Sequence, residues 1–402
     1  MDIHIYSEIG KLQGVILHRP GIELERMTPE NIHKALYSDI LSAEIARRDY
    51  AAFEAALGSC ATVYHVTQLL ERILGDEAVR RDIIATTCRL HGVPLQRELS
   101  DMDNRTLACT LIEGYEQPGD FSDRRFPIPP LYNLYFTRDA SASIYDKVII
   151  NHMRHPVRER ESYLMEQIFR HAFGAETFRT ADPTHCIEGG DLLIARDDVL
   201  LVGNGDRTSA KAVEDLAQRF LQENKKQYIV VQELPKAPES FIHLDMVFTF
   251  LDRNACACYL PLIARPSQYR TTILQVADGR IRAEEAPTLL EALKRLDFEL
   301  EPVCCGNPDD PWSQQREQWH SGANFFALAP GKVIGYERNR ETIRQLQQHG
   351  FDVVPATEIA AGKEHPDNHR RCVITLASNE LPRGGGGGRC MTMPIHRENV
   401  IW

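Results

Sequence analysis

The sequence has no long apolar run. No stretch approaches the roughly eighteen apolar residues that a membrane-spanning helix needs, so no membrane partner is expected. Nor is there an excess of basic charge: 46 Lys and Arg stand against 57 Asp and Glu, for a formal net charge of −11. That balance argues against nucleic acid and anionic membrane surfaces as partners. A disulfide framework is also missing, since the ten cysteines (60, 88, 109, 186, 256, 258, 304, 305, 372, 390) follow no framework rhythm. Neither Cys256-Ala-Cys258 nor the adjacent Cys304 and Cys305 has the C-x₂-C plus His spacing of a zinc site. Buried small thiols are the simpler reading, and no metal or cofactor is expected. The opening MDIHIYSEIG lacks the basic start and apolar run of a signal peptide, which makes a cytoplasmic chain with reduced thiols the expectation.

Hydrophobic residues make up 43% of the 402 positions, enough to bury a sizeable core in one large domain or two ordinary ones. Alternation over 2–18 predicts a strand, closed by Arg19-Pro20-Gly21. Apolar residues at three- and four-residue steps predict a helix over 29–57, with Pro29 at its start, and 61–66 reads as a strand. From 67 to 117 strand signals vanish and four short helices are predicted, an inserted helical subdomain within one catalytic domain covering 1–402. Strands resume within 134–153, followed by a helix at 158–173 and apolar runs at 186–194 and 198–202. A helix at 209–223, a strand at 227–232, strands at 243–250 and 255–260 and a helix near 287–295 come next. A strand at 326–337, a helix at 340–350 and strands around 351–356 and 371–380 complete a mixed α/β chain whose recurrent unit is strand, strand, helix, strand.

Near the C-terminus, RGGGGGRCMTMP places five glycines, Gly384 to Gly388, just before Arg389 and Cys390. Glycines in a row suit unusual dihedrals or close approach of a ligand to backbone, so this loop is a candidate for presenting the Cys390 sulfur. Three upstream segments concentrate ionisable residues beside turns: NLYFTRDAS with Asn133 and Asp139, HCIEGGDLLI with Glu188 and Asp191, and SFIHLDMVFTF with His243 and Asp245. A strand through HLD would turn His243 and Asp245 to one side. Singly, these acids also fit turn caps, a solvated hairpin or a wet strand face. Together, a cysteine, a histidine and several acids are the inventory of covalent catalysis with acid–base help. Carboxylates near a thiol raise its pKa, which is poor for a protease but sensible when the substrate is a cation. A guanidinium matches carboxylates in geometry and would offset their charge on binding.

These four motifs in this order, with YSEIGKLQGVILHRPG and QWHSGANFFALAPGKVIGY, resemble the arginine deiminase family of the guanidino-group-modifying (pentein) superfamily over essentially the whole chain. The resemblance implies a five-bladed α/β propeller of ββαβ units with a helical insertion, and hydrolysis of free L-arginine to L-citrulline and ammonia through a thiouronium on the cysteine. By the family's pattern, Cys390 is the nucleophile, His243 the general acid–base, Asp139 and Asp245 the grip on the guanidinium, and Glu188 the acid that orients substrate and His243. Arg158, Arg207 and Asn133 match the residues that hold the α-carboxylate, with Asp191 and Gly384 as further substrate-binding candidates. A homo-oligomer, dimer or tetramer, is expected. The chain departs from the family at Gly385, where many relatives carry arginine, and at His320-Ser321-Gly322, where Asn-Asp-Gly is usual. Two other readings stay open: another guanidino-modifying enzyme, such as an amidinotransferase, or a catalytically silent arginine-binding protein.

Overall fold

The computed structural model describes residues 2–117 and 125–402. Its strands fall into five sheets, and one motif recurs in all of them: two antiparallel strands, a helix, and a strand parallel to the second. Ser141–Ile144 and Lys147–Ile150 form such a hairpin, helix Glu159–Ala172 crosses over, and Thr177–Phe178 returns parallel to the second strand. Leu192–Arg196, Val199–Asn204, helix Ala210–Gln222 and Gln227–Glu233 repeat it, with the hairpin Thr271–Ala277 and Arg280–Ala286 added at the far edge. Phe248–Asp252, Ala255–Cys258, helix Leu289–Lys294 and Glu301–Cys304 form the next unit. In the last, Phe326–Ala329 and Lys332–Tyr336 are followed by helix Arg340–Gln348; Cys372–Leu376 lies between Lys332–Tyr336 and Asp352–Pro355. The remaining unit is closed by the two ends of the chain. Leu12–Leu17 pairs antiparallel with Met393–Arg397 and parallel with Thr62–His65, which follows helix Ala43–Gly58.

Several local expectations need correction. The helix expected over 29–57 begins only at Ala43, and Ser42 precedes it in extended conformation. Ahead of it, Asn31, Ile32, Ala35 and Tyr37 make turn hydrogen bonds, and Leu36 at φ 66° stops them from propagating into a helix. The helix that does form buries Ala46, Tyr50, Phe53 and Leu57, the three- and four-residue stripe that its sequence shows. His243 and Asp245 do not lie on a strand. They flank and enter a tight 3₁₀ turn, Leu244–Met246, and the strand starts at Phe248. The single strand expected at 326–337 is a hairpin turned by Gly331 at φ 74°. Helix Pro311–Trp319 and strands Thr271–Ala277, Arg280–Ala286 and Glu301–Cys304 had no counterpart in the sequence reading.

Four helices lie at Val66–Ile73, Glu77–Leu90, Arg97–Asp101 and Asn104–Glu113. Asp76 and Asp103 cap two of them by accepting hydrogen bonds from backbone amides of the first turn. Their apolar faces share one buried cluster with helix Glu159–Ala172 and with Ile16, Val148 and Met393 of neighbouring sheets. Cys256 and Cys258 are fully buried on one strand, and Cys258 lies in register with the buried Cys304. No described helix is long and apolar enough to cross a membrane.

Candidate active site

The site is built where turns, rather than strands, deliver side chains. Asp139 follows the turn Asn133–Phe136 and precedes strand Ser141–Ile144. Its backbone carbonyl accepts hydrogen bonds from Gly189 N and Asn151 Nδ2, tying it to the EGGD segment. EGGD is itself a 3₁₀ turn, Gly189–Asp191, ahead of strand Leu192–Arg196. Gly190 is required there, because a Cβ would lie 2.5 Å from Nδ1 of His243. Cys390 sits past the glycine loop, and its backbone carbonyl accepts from Arg138 N, one residue before Asp139.

These segments surround a cavity of about 470 Å³. Its wall includes Cys390, His243, Asp139, Asn133, Arg158, Arg207 and Gly384, seven of the ten residues singled out in the sequence. Glu188, Asp245 and Asp191 are fully buried; Glu188 bonds His243 and Asp245 meets Cys390 of that wall, while Asp191 bonds Leu244, the residue after His243. His243 lies between two acids: Nε2 is 2.9 Å from Glu188 Oε2, and Nδ1 is 3.8 Å from Asp139 Oδ1. Burial opposes charge on this imidazole, but Asp139, the Glu188 hydrogen bond and Asp191 together outweigh it and raise its pKa to about 9. Burial likewise opposes charge on Glu188, yet the bond to His243 and the nearby Arg207 hold it down at about 2.

The sulfur of Cys390 is 3.9 Å from Asp245 Oδ2. Burial first, then Asp245 and Asp139, push its thiol well above the ordinary range. One oxygen of each acid, Asp139 Oδ1 and Asp245 Oδ1, is buried with no hydrogen-bond partner among the described residues. Two such acceptors beside a sulfur and an imidazolium are costly unless a cationic donor fills them.

The other candidates divide. Arg158 is committed to acids already present: Nη1 donates to Asp139 Oδ2 at 2.7 Å and Nε to Glu161 Oε2 at 2.9 Å. These bonds brace Asp139 from the cavity wall. Arg207 is bound only loosely, with Nη1 3.3 Å from Glu188 Oε2, and its Nε has no hydrogen-bond partner among the described residues. Asn133 donates from Nδ2 to Ala35 O, holding the 33–39 segment against the cavity. Asp191 accepts from Thr208 Oγ1 and Leu244 N, which positions the turn carrying His243; burial pushes it up to about 7. Gly385, where the family often has arginine, is left-handed at φ 86°, and a Cβ there would meet nothing within 4 Å.

Sequence reasoning missed four buried residues. Arg389 donates to Asp245 Oδ2 at 2.8 Å and to both oxygens of Glu8. Asn324 reaches Cys390 and Asp245, and Glu161 anchors Arg158. Arg389 could have been suspected from its place beside Cys390. Glu8 carries no local signal, since its partner is 381 positions away.

The arginine deiminase family model matches residues 33–397. The chain is 33% identical to arginine deiminase of Levilactobacillus brevis over 429 aligned positions, covering 99% of each. It is 32% identical to the arginine deiminase of Bacillus thuringiensis subsp. konkukian, again over 99% of each. Among solved structures it resembles the N-terminal domain of ArgZ, a cyanobacterial arginine dihydrolase, with TM-score 0.55 and 14% identity over 96% of this chain and 97% of that one. DDAH from Pseudomonas aeruginosa matches with TM-score 0.53 and 13% identity over 96% and 99%.

Proposed function

The chain belongs to the arginine deiminase family, hydrolases that convert arginine to citrulline, and on that premise we propose how its buried centre carries out the reaction. The observation that carries the reading is the pair of buried carboxylate oxygens without a hydrogen-bond donor, Asp139 Oδ1 and Asp245 Oδ1, on the two acids whose charge acts on the Cys390 sulfur. A guanidinium supplies the forked donors that these oxygens lack. Its charge also offsets the acids that oppose thiolate, so the sulfur ionises best with substrate bound.

The Cys390 thiolate attacks the guanidinium carbon and forms a C–S bond. One nitrogen accepts the proton of His243 and leaves as ammonia, giving a thiouronium on Cys390. Neutral His243 then takes a proton from water, whose oxygen attacks the same carbon. The C–S bond breaks, the thiolate returns, and the hydroxyl left on the carbon gives its proton to solvent as the ureido group of citrulline is released. Asp139 and Asp245 hold the nitrogens throughout and stabilise charge in the tetrahedral species, and Glu188 keeps the imidazole aimed. Arg158 fixes Asp139, while Arg207, whose Nε lacks a hydrogen-bond partner and faces Asp206 at 3.6 Å, is the group that receives the α-carboxylate.

We further propose that the five sheets close into a five-bladed propeller with the helices around 67–117 as an insertion. Support comes from the fivefold strand–strand–helix–strand motif and from the sheet shared by both chain ends. A cytoplasmic homo-oligomer, dimer or tetramer, remains part of this reading.

Purified protein should convert L-arginine to equal amounts of citrulline and ammonia. No citrulline anywhere between about pH 5 and 8, the range of histidine-dependent chemistry, would overturn the assignment. Arg207→Ala should raise KM for arginine at least about tenfold, the loss of one charge-assisted contact, and change much less for a guanidine lacking the carboxylate. Equal effects on the two substrates would remove Arg207 from the carboxylate site.

A further inference from the structure

Cys390 poses an electrostatic problem. Its sulfur is buried beside Asp245 and near Asp139, and both oppose the thiolate. A lysine or arginine facing the sulfur would favour the thiolate but would repel a cationic substrate. A neutral N–H donor favours the thiolate without that conflict.

Asn324 stands where such a donor is needed. It is 1% exposed, in the turn before strand Phe326–Ala329, and its Nδ2 lies 3.3 Å from Cys390 Sγ. Its amide orientation is fixed by its other bonds. Oδ1 accepts from the backbone N–H of Arg389 at 2.9 Å, so the opposite end must be the NH₂ group. Nδ2 then has two hydrogens, one for the Asp245 carbonyl at 3.1 Å and one for the sulfur. Met246 Sδ, at 3.7 Å, is a weaker neighbour. Among the described residues, Asn324 is the side-chain donor in hydrogen-bond contact with Cys390.

We propose that Asn324 is a catalytic residue for arginine deimination, a neutral amide that stabilises the Cys390 thiolate both before attack and when it is expelled from the thiouronium. This inference rests on Cys390 being the nucleophile. The hydrogen bond is strongest when sulfur carries full negative charge and weakens when the C–S bond forms. It therefore raises the reactive fraction of the free enzyme and improves the leaving group in hydrolysis. It makes no contact with the α-carboxylate end of the substrate, so it contributes little to ground-state affinity.

The test uses Asn324→Ala and Asn324→Leu; the second keeps the volume and adds no charge, and carries the test alone if the first does not fold. Each should lower kcat by about ten- to a hundredfold, the worth of one hydrogen bond to a charged group. Each should also move the midpoint of Cys390 alkylation by iodoacetamide to higher pH. In a Cys390→Ala background the same changes should leave arginine affinity within about twofold, as for groups that do not touch the ligand. An unchanged kcat overturns the proposal, as does a lost kcat with the alkylation midpoint where it was. If Cys390→Ala alone still turns over arginine, the nucleophile reading fails first and this one with it.

Discussion

Cys390→Ala is expected to abolish citrulline formation while the protein still binds arginine. Deleting a covalent nucleophile in other enzymes costs on the order of a millionfold in kcat. The remaining groups explain why binding should survive. Asp139 and Asp245 keep their free oxygens, Arg389 still holds Asp245, and Arg158 still braces Asp139. Removing the sulfur takes away a weak donor to Asp245 and the acceptor of one Asn324 amide hydrogen, and neither is a contact to the carboxylate grip's open oxygens. Calorimetry on the variant should therefore show arginine binding with no product, and mass spectrometry should find a substrate adduct only on the wild type. The wild-type thiol carries the same logic. Burial, Asp245 and Asp139 raise its pKa, and a bound guanidinium should lower it. Thiolate absorbance, taken as wild type minus Cys390→Ala, should titrate at lower pH with a guanidinium analogue bound than without one. The opposite order would end the substrate-assisted account, and citrulline from Cys390→Ala would end the covalent one.

The sequence spoke most clearly where a residue's role is local. The glycine run before Cys390, the paired glycines of EGGD and the His-x-Asp spacing each point to chemistry within a few positions. Seven of the ten chosen residues line one cavity, and the other three are fully buried, in contact with its lining or with the residue after His243. The hidden part is held by contacts between distant segments. Arg389 with Glu8, Asn324 with Cys390, and Arg158 with Asp139 are tertiary pairs that no period or spacing records, whereas Arg158 with Glu161 is a local pair at i,i+3. Arg158 is the case in point: its motif position suggested a carboxylate anchor, and its bonds to Asp139 and Glu161 add a bracing contact that the motif does not show. HLD misled in another way. Its apolar flanks suggested a strand, but the amide of Leu244 bonds to Asp191 and turns the chain tightly there. Tertiary hydrogen bonding overrode local preference at a site residue, where such overrides are expected.

His243→Asn should lower kcat by about a hundred- to ten-thousandfold, the usual contribution of a positioned acid–base group. Its pH dependence identifies the role. With a pKa raised to about 9, His243 is the imidazolium at neutral pH and can protonate departing ammonia. Wild-type kcat should therefore fall as pH rises through about 9, and that alkaline limb should be absent from the variant. Stability follows with the same sign. A histidine pKa raised on folding stabilises the native state fully below its unfolded value of about 6.5, and that contribution is lost as pH rises toward 9. Denaturant midpoints of wild type and His243→Asn should thus differ most near pH 6 and converge above about 9. Glu188 works at the other end. Its pKa, lowered to about 2, contributes stability above about 4.3 that is lost as pH falls toward 2. In the variant, Glu188 keeps Arg207 but loses the imidazolium, so its acid transition should move to higher pH. A variant that retains the alkaline limb would show that another group supplies the proton, and His243 would then be a structural partner of Glu188 alone.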